Sequence, residues 1–407
     1  MIRAIVLSGG SGLVGLALLE EFAASGVPVA VISIGSSRLL EGCLPDMLYE
    51  ELDWRSDDVE GVAARFVDIV RKWRGADDLP WPIYPTEDGG LGFLEARREA
   101  FSDLVTLCGL SRRGVGCADK AALATALSGS AVVEPYLPPT LVARTVDEAL
   151  AACRTIGSAC VIKPATKPRS MRLTGMRGKA IFSAEYANGV ELTGCLESVW
   201  TLSPRWLVQG MVGDGDAHEV SVWAVRFSDG SFDGVCARQR WKHPSRGGTS
   251  SHVAIEPRMM SLLLPVARTV LREIDYVGLC ELEFIVEETS EGARPWLIEI
   301  NARPWLQYGL AHRAGLPAAS DTFRMLTEPG WTAERHERGS EELHWVNPER
   351  LVLAALSGTQ GNVLRALLRA IGMTVTANYV TVYGSRIEGV RKRWITHRLG
   401  RIARPRT

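Results

Sequence analysis

Residues 278–303, GLCELEFIVEETSEGARPWLIEINAR, decide how the rest of the chain is interpreted. Two apolar runs, LEFIV and PWLIEI, flank a polar turn that contains glycine, and this pattern predicts a β-hairpin. Side chains alternate between the faces of a strand, so Glu299 and Asn301 point to the same side. If the strands pair, Glu283 lies alongside Glu299, which gives an all-oxygen site of the kind that Mg2+ prefers. Arg303 faces the same side and could bind a phosphate or a carboxylate.

An edge hairpin with its acids in water is the alternative interpretation, because charged side chains are mostly exposed. Here the acids lie inside strongly apolar runs, and this position favours a functional role over simple exposure.

The composition is that of an ordinary globular protein. A length of 407 residues predicts two or three domains, with 46% apolar and 23% charged residues. The formal net charge of -1 predicts neither nucleic acid nor membrane as a partner. The first residues lack the features of a signal peptide, and we find no apolar run long enough to span a bilayer. Eight cysteines without a C-x-x-C pair indicate reduced thiols, so we expect a cytoplasmic protein.

The N-terminal stretch predicts a parallel sheet, because a buried strand at 2–7 leads through a glycine loop and a helix to a second strand. Gly9, Gly12 and Gly15 fit a loose dinucleotide-fold spacing, in which a helix N-terminus holds a pyrophosphate. No acid ends the second strand to bind a ribose, which argues against NAD. A tight turn and a site for a small acidic substrate are the other interpretations.

Two lysines stand where a bound anion would explain them. Lys120 follows the predicted helix N-cap Asp119, and a cation there is unfavourable unless an anion lies nearby. Lys163 ends an apolar run, VIKP, where lysine rarely lies without a partner. The basic stretch 166–180, which contains Lys179, resembles a mobile loop that could close over phosphates. Solvated surface lysines are the alternative.

A basic run follows a predicted hairpin. Arg238, Arg240 and Lys242 alternate, so they share a face if the segment is extended. The sequence GGTSS follows shortly after and supplies hydrogen-bond donors. This combination suits a carboxylate or an acyl phosphate.

The order of these motifs resembles the ATP-grasp superfamily, whose metal-binding hairpin has an EF segment followed by LIEINxR. The resemblance covers residues 1–325, and it includes a Pro-Thr turn whose residues Thr86, Glu87 and Asp88 would lie near the acceptor site. It is most similar to carboxylate–amine ligases of the D-aspartate ligase and carbamoyl-phosphate-synthetase-like group.

This resemblance implies an α/β (α+β) fold in three parts. A Rossmann-like parallel-sheet domain is expected at 1–112, and a two-lobed ATP-grasp domain at 113–325. The small lobe would span about 118–212 and the large lobe about 213–325. A mainly helical C-terminal region with a basic tail is expected at 326–407.

The resemblance also implies the role of each site residue. The phosphates and the adenosine of ATP would be bound by Lys120, Lys163, Gln209, Met211, Val212 and Asp216. Asp214 and Glu219 are alternatives for the ribose, and Gly210 replaces the glutamate that the family usually carries after the glutamine. Mg2+ or Mn2+ would be bound by Glu283, Glu299 and Asn301. The transferring phosphoryl group would be stabilised by Arg240 and Arg303, and Lys179 of the basic loop is a third catalytic candidate.

The implied activity is an ATP-dependent ligase that activates a carboxylate as an acyl phosphate and joins it to an amine. Its partners would be small molecules, with an amino acid among them, and its assembly a homodimer. The alternatives are a carboxylase that uses bicarbonate, a non-catalytic ATP-binding scaffold and a nicotinamide oxidoreductase. We find no Ser-His-Asp ordering, no H-E-x-x-H and no Walker motif.

The tail from Arg386 onward is strongly basic, with seven further arginines and lysines against one acid, Glu388. A charge run of this kind is typical of a solvated face. The alternative is a docking surface for an acidic partner or for a second subunit.

Overall fold

The computed structural model describes residues 1–10, 12–34, 38–54, 58–166, 180–186, 189–213, 218–243, 248–333, 342–358 and 360–395. Lys179, Asp214 and Asp216, three of the predicted site residues, lie outside these ranges.

The N-terminal unit is a five-stranded parallel sheet in the order β3-β2-β1-β4-β5. The strands are β1 (Ala4–Ser8), β2 (Val29–Ser33), β3 (Leu48–Glu51), β4 (Trp81–Pro85) and β5 (Val105–Leu107). The helices are α1 (Leu13–Ala24), α2 (Val59–Arg74), α3 (Asp88–Ala96) and α4 (Arg98–Phe101). The strand order reverses between β1 and β4, and ligand sites of open α/β sheets form at such a point.

A second, antiparallel sheet has the order β7-β10-β8-β9. Its strands are β7 (Thr140–Ala143), β8 (Cys160–Pro164), β9 (Ile181–Phe182) and β10 (Trp206–Gly210). Helix α5 (Lys120–Ser128) precedes it, and α6 (Val146–Ile156) and α7 (Gly189–Val199) follow β7 and β9. Apolar side chains of α6 and α7 pack with Trp206 and Val208 of β10, so the side chains between them, such as Leu207, face the other way.

The largest sheet has the order β15-β14-β11-β12-β13-β16-β17, with β6 (Gly109–Ser111) paired to the start of β14. Its long strands are β11 (His218–Arg226), β12 (Phe232–His243), β13 (Thr249–Ile255), β14 (Tyr276–Thr289) and β15 (Gly292–Asn301). Helix α8 (Met260–Glu273) covers one face through Leu263, Val266 and Val270. The large sheet and the N-terminal sheet share hydrophobic clusters, so the two sheets form one continuous packing.

The C-terminal residues complete the large sheet rather than forming a separate layer. Strands β16 (His344–Val346) and β17 (Tyr379–Val380) extend its edge. The helices of this part of the chain are α9 (Tyr308–Arg313), α10 (Ala318–Thr327), α11 (Pro348–Leu356) and α12 (Val363–Thr376). Within the described residues, no helix is long and apolar enough to cross a bilayer.

The predicted hairpin is confirmed as β14 and β15, which run antiparallel with Glu283 opposite Glu299. Gly292 opens β15 at a φ of 121°, a conformation that glycine adopts without strain. The register shifts after the Glu283 pair, because Phe284 lies opposite Leu297. Ile298 is therefore the extra residue of a β-bulge, and its carbonyl is used at the site described below.

Candidate active site

The candidate site begins with four polar side chains on one face of the hairpin. Glu283 lies opposite Glu299, and Glu281 lies opposite Asn301, so all four point to the same side of the sheet. The Asn301 amide Nδ2 donates to Glu281 Oε2 and to Glu283 Oε1, each at 3.0 Å. Asn301 thereby fixes the two carboxylates of β14 side by side.

Glu281 is a member of this cluster that the sequence analysis did not select. Its carboxylate is buried and accepts a hydrogen bond from Trp223 Nε1 at 3.1 Å in addition to that from Asn301. Burial raises the pKa of Glu281, although Arg303 and the hydrogen bonds oppose that rise. Its position two residues before Glu283 on the same strand was the signal, because such a spacing places both acids on one face.

Two lysines from the neighbouring sheet unit hold Glu299. Lys120 Nζ lies 2.5 Å from Glu299 Oε1, and Lys163 Nζ lies 3.9 Å from Glu299 Oε2. Burial disfavours the ionised form of Glu299, but Lys120 and Lys163 outweigh it and lower the pKa of the carboxyl group to about 2. Burial also disfavours the charge on Lys120, and Glu299 together with Asp88 nevertheless raises the pKa of this lysine.

Local structure fixes both lysines. The Asp119 carboxylate caps α5 by accepting from the backbone N–H groups of Ala121 and Ala122, so Lys120 projects from the first turn as predicted. Lys163 lies in β8 and is only 9% exposed at its side chain. Its Nζ also donates to the carbonyl of Ile298 at 3.3 Å, the residue that the bulge leaves unpaired. The bulge thus helps to hold Lys163 at the hairpin.

Arg303 joins the hairpin to the N-terminal sheet. Its Nε forms an ion pair with Asp88 at the start of α3, and its Nη2 lies 3.5 Å from Asn301 Oδ1. Burial opposes the charge of Arg303, but Asp88 and the hairpin acids outweigh burial and raise the pKa of the guanidinium. Asp88 follows β4. The ion pair therefore brings the point where the strand order of the N-terminal sheet reverses next to the acids of the hairpin.

The glycine loop lies at the same reversal point. The Gly9 N–H donates to Thr86 Oγ1 at 2.9 Å, which ties the end of β1 to the end of β4. The Glu87 side chain lies over this loop, since a Cβ on Gly9 would come within 2.2 Å of its carboxyl carbon. A carboxylate in this position disfavours a pyrophosphate at the N-terminus of α1.

A cavity of about 560 Å³ opens between the second sheet and β15, and Lys120 and Glu299 line it. Its other walls are mainly apolar and come from α5, the segment before β7, β7 itself, β10 and β15. Gln209 lines the cavity and its Nε2 lies 3.3 Å from Thr140 Oγ1. An apolar pocket with a few converging charged groups is typical of a small-molecule site.

The segment after β10 is held by backbone hydrogen bonds. The Met211 N–H donates to the carbonyl of Ala159 at 2.7 Å, and the Gly213 N–H donates to Glu287 Oε1 at 2.6 Å. Met211 and Val212 are both half-buried. These contacts give the predicted adenine-binding segment a fixed backbone, while its role toward adenine stays a prediction.

The expectation that Arg238, Arg240 and Lys242 share one face is wrong, because β12 shifts register between Gln239 and Trp241 and again before Lys242. Arg238 contacts His218 of β11, whereas Lys242 contacts Glu219 of the same strand. His218 and Glu219 are consecutive residues of a strand, so their side chains point to opposite faces of the sheet. Lys242 therefore lies on the face of Ser221 and the hairpin acids.

Arg240 is not brought to the acidic cluster. Its guanidinium lies 3.2 Å from Glu256 and 4.0 Å from Glu342. Glu219, one of the alternatives for the ribose, is engaged by Lys242. The other two, Asp214 and Asp216, lie outside the described residues, as does Lys179.

The oxygen donors of the hairpin fit a hard divalent cation shared with phosphates. Within the described ranges, no group of three or more His, Cys, Asp or Glu is arranged to hold a metal by itself. Mg2+ commonly uses only one or two carboxylates and completes its shell with waters and substrate phosphates. Glu283 and Glu299, side by side across the ladder, match that requirement.

The charges of the cluster support the same conclusion. Its carboxylates are Glu281, Glu283, Glu299 and Asp88, and its cations are Lys120, Lys163 and Arg303. Four acids against three bases give one formal negative charge in excess, which a cation would offset while leaving the lysines to face phosphates.

No protein-family model matches the chain, and no curated protein sequence matches it. Several solved structures do. An N5-carboxyaminoimidazole ribonucleotide synthetase in complex with ADP superposes with a TM-score of 0.62 at 12% identity, over 99% of this chain and 98% of the other. The biotin carboxylase of Campylobacter jejuni superposes at 0.59 and 14%, over 84% and 74%. The L-amino acid ligase of Bacillus licheniformis superposes at 0.54 and 15%, over 80% and 74%. At such identities the likeness shows the fold alone, and that fold is consistent with the ATP-grasp fold expected from the sequence.

Proposed function

We propose that this chain, which has the ATP-grasp fold, is an ATP-dependent ligase that converts a carboxylate into an acyl phosphate and joins it to an amine. The observation that carries the proposal is the placement of Glu299. It lies opposite Glu283 on the hairpin, between Lys120 and Lys163 of the second sheet unit, at the wall of the cavity.

In this proposal the triphosphate of ATP replaces Glu299 as the partner of Lys120 and Lys163. Both Nζ atoms already lie within 4 Å of a carboxylate, so phosphate oxygens could take the place of that anion with little movement of the lysines. Glu283, Glu299 and Asn301 would then hold Mg2+ or Mn2+, which when bound neutralises charge on the phosphates. The nucleoside would lie in the cavity and against the segment that contains Gln209, Met211 and Val212.

The reaction has two steps. A carboxylate oxygen of the substrate attacks the γ-phosphorus of ATP, the bond from that phosphorus to the bridging oxygen breaks, and ADP leaves. The nitrogen of a neutral amine then attacks the carbonyl carbon of the acyl phosphate and inorganic phosphate leaves, while the amine loses a proton. The result is an amide bond.

In this proposal Arg303 orients the acid and stabilises the negative charge that develops on the oxygens during both steps. Its ion pair with Asp88 fixes the guanidinium beside Asn301. Lys242, on the same sheet face, is a better candidate for a second cation than Arg240, whose guanidinium is engaged by Glu256. Roles for Lys179 as part of a closing loop and for Asp216 as the ribose ligand stay predictions.

We assign the acceptor substrate to the N-terminal unit at 1–112, because the Asp88–Arg303 ion pair places its strand-order reversal beside the hairpin. The proposed nucleotide-binding domain at 113–325 contains the second sheet and the hairpin. The remaining residues, 326–407, contribute β16 and β17 to the large sheet. A homodimer is proposed on the resemblance alone.

A carboxylase is the second candidate, with bicarbonate as the activated acid. Of the three similar proteins named above, one is a biotin carboxylase and another is a synthetase whose name describes a carboxyamino product. The geometry of Glu299 and the two lysines suits either acid, since both begin with attack of an oxyanion on the γ-phosphorus. A nicotinamide oxidoreductase is disfavoured by Glu87 over the glycine loop.

The test is ADP release by the full chain with ATP and Mg2+, screened against pairs of carboxylates and amines, with bicarbonate as one of the acids. The ligase predicts ADP in excess over background for a particular pair and an amide product of matching mass. ADP that requires bicarbonate would favour the carboxylase. The absence of ADP with every pair, together with binding of NAD, would overturn the proposal.

A further inference from the structure

The two helices near the C-terminus carry a large exposed apolar surface. Leu364 and Val375 of α12 are 67% and 80% exposed, and helix α11, which packs against α12, also exposes large apolar side chains. We call this the C-terminal apolar surface, and its residues are Val352, Leu353, Leu356, Leu364, Leu368, Ile371 and Val375. Contiguous exposed apolar patches mark a surface that binds a partner protein or a membrane.

Helix α12 is apolar on both of its sides. Ala366 and Ala370 are buried against the protein, whereas Leu364, Leu368 and Ile371 point outward. A helix that is apolar all round is usually covered on every side, and the outward side of α12 is not covered by any residue that the structure describes. Its apolar residues at spacings of four, three and four form a continuous stripe on that side.

The charged side chains of α12 are all positive. Helix α12 contains two charged residues, Arg365 and Arg369, four residues apart and adjacent to the apolar stripe. Arg369 lies with its guanidinium carbon 6.0 Å from the centre of the Trp241 ring, at the border with β12. Residues 350–376 contain no aspartate or glutamate.

The sequence shows the same asymmetry on a larger scale. Residues 345–407 contain 11 arginines and lysines and two acids, so their formal charge is 11 − 2 = +9. The whole chain has a charge of −1, which leaves −1 − 9 = −10 for residues 1–344. The near-neutral total therefore conceals a strongly basic C-terminal part, and the expectation of no membrane partner was based on that total.

We propose that the C-terminal apolar surface docks this protein onto a bilayer that contains anionic phospholipids. Leucine, isoleucine and valine side chains enter the boundary between headgroups and acyl chains, while Arg365 and Arg369 bind headgroup phosphates at its edge. A symmetric second copy would bring the same acid-free arginine faces together, so charge disfavours it as the occupant. Nucleic acid would match the arginines but gives no benefit to a stripe of exposed aliphatic side chains.

The first experiment measures sedimentation of the full chain with phosphatidylcholine vesicles, with and without phosphatidylglycerol. We expect binding only to the anionic vesicles, and we expect salt to weaken it. The triple variant Leu364→Gln, Leu368→Gln, Ile371→Gln should lower vesicle affinity by about tenfold or more, because each change removes apolar side-chain area that enters the membrane.

The matched control changes three exposed apolar residues elsewhere, Leu79→Gln, Val132→Gln and Val190→Gln, and should bind vesicles like the parent chain. Equal loss in both triple variants, or no binding to anionic vesicles by the parent chain, would overturn the proposal. It would also be overturned if the parent chain is a dimer that the α12 variant dissociates and neither protein binds vesicles.

The second experiment separates charge from apolar contact. Arg365→Gln together with Arg369→Gln should lower affinity for anionic vesicles by about thirtyfold, since each of the two arginines near the surface contributes about 1 kcal/mol. Circular dichroism and the thermal midpoint identify any variant that fails to fold. Unchanged affinity in a folded double variant would contradict the role of these arginines and the proposed orientation of α12.

Discussion

Glu299 is the residue on which the charges of the candidate site converge. Its side chain is 20% exposed and contacts two lysines, while its neighbour across the ladder is another acid. With a pKa of about 2, it stays ionised across the pH range in which proteins are assayed. A negative charge is therefore present at this position to pair with the two lysines.

Replacement of Glu299 by glutamine tests this role. Glutamine keeps the shape but removes the charge, so Lys120 and Lys163 lose their anionic partner and the hairpin loses one of the proposed cation ligands. We expect ADP release to fall by about 100-fold or more, with the loss in kcat rather than in the KM for ATP. Glu288→Gln, an exposed position farther along the same strand, is the matched control. Activity of Glu299→Gln equal to that of Glu288→Gln would reject the assignment.

The sequence allowed some of these residues to be predicted and not others, for physical reasons. Alternation along a strand was enough to place Glu299 and Asn301 together, and an N-cap was enough to place Lys120. Glu281 follows the same alternation and could have been predicted. Arg240 could not have been placed correctly, because the register shifts in β12 that change its surroundings have no signal in the sequence.

Helix α1 packs against α9 and α10 through a buried acid, Glu21. Its Oε1 accepts from the Ser320 N–H at 2.7 Å, and its Oε2 accepts from the Tyr308 hydroxyl at 2.8 Å. His312 Nδ1 lies 3.5 Å from the same carboxylate. Burial raises the pKa of Glu21 to about 7, more than these hydrogen bonds lower it. This contact joins the N-terminal unit to the helices that follow Arg303.

The raised pKa of Glu21 predicts a pH dependence of stability. Between its unfolded value of 4.5 and about 7 the folded protein retains a proton that the unfolded chain releases, so this contribution to stability is lost as the pH rises. From about pH 5 to about pH 8, wild type should lose on the order of 3 kcal/mol more unfolding free energy than Glu21→Gln, measured by urea denaturation. The exposed Glu99→Gln should behave like wild type. Parallel pH profiles for wild type and Glu21→Gln would show that burial does not govern this carboxyl group.

The hairpin is also held at its base by a close backbone approach. Gly278 has a φ of 107°, and a Cβ there would lie 2.0 Å from the carbonyl oxygen of Cys108. At the other end of the hairpin Gly292 has a φ of 121°, but nothing lies within 4 Å of its Cβ position. The two glycines share a conformation and differ in their surroundings.

Alanine substitution at each of the two positions distinguishes the cost of backbone strain from the cost of steric overlap. Gly292→Ala should cost about 1–3 kcal/mol of unfolding free energy, through backbone strain alone. Gly278→Ala should cost at least about 2 kcal/mol more, because β6 must move away from β14. Urea denaturation measures both values. Equal losses would mean that the contact between β6 and β14 opens without cost.

At the scale of the whole molecule, the sequence predicted a parallel sheet followed by an ATP-grasp arrangement, and the α/β fold is confirmed. Apolar residues at spacings of three and four predict an amphipathic helix at 59–74, and α2 spans Val59–Arg74. The completion of the large sheet by β6 and β16 could not be predicted, because strands of three residues carry no periodicity. Their pairing depends on contacts between residues far apart in the chain.

The meeting of all three sheet units at the hairpin is the basis of the functional proposal. Asp88 comes from the N-terminal sheet unit, Lys120 and Lys163 come from the second unit, and the acids come from the large sheet. In the proposed function, a site assembled in this way would bring a nucleotide, an activated acid and an acceptor to one place. The proposed chemistry therefore requires the intact chain.

Trapping of the acyl phosphate tests the central claim most directly. The full chain is incubated with ATP, Mg2+, a panel of carboxylates and hydroxylamine, which converts an acyl phosphate into a hydroxamate. For the cognate acid we predict hydroxamate in proportion to ADP, and none without ATP or with Glu299→Gln. ADP formed with no hydroxamate from any acid, or AMP and pyrophosphate in place of ADP, would contradict an acyl-phosphate ligase.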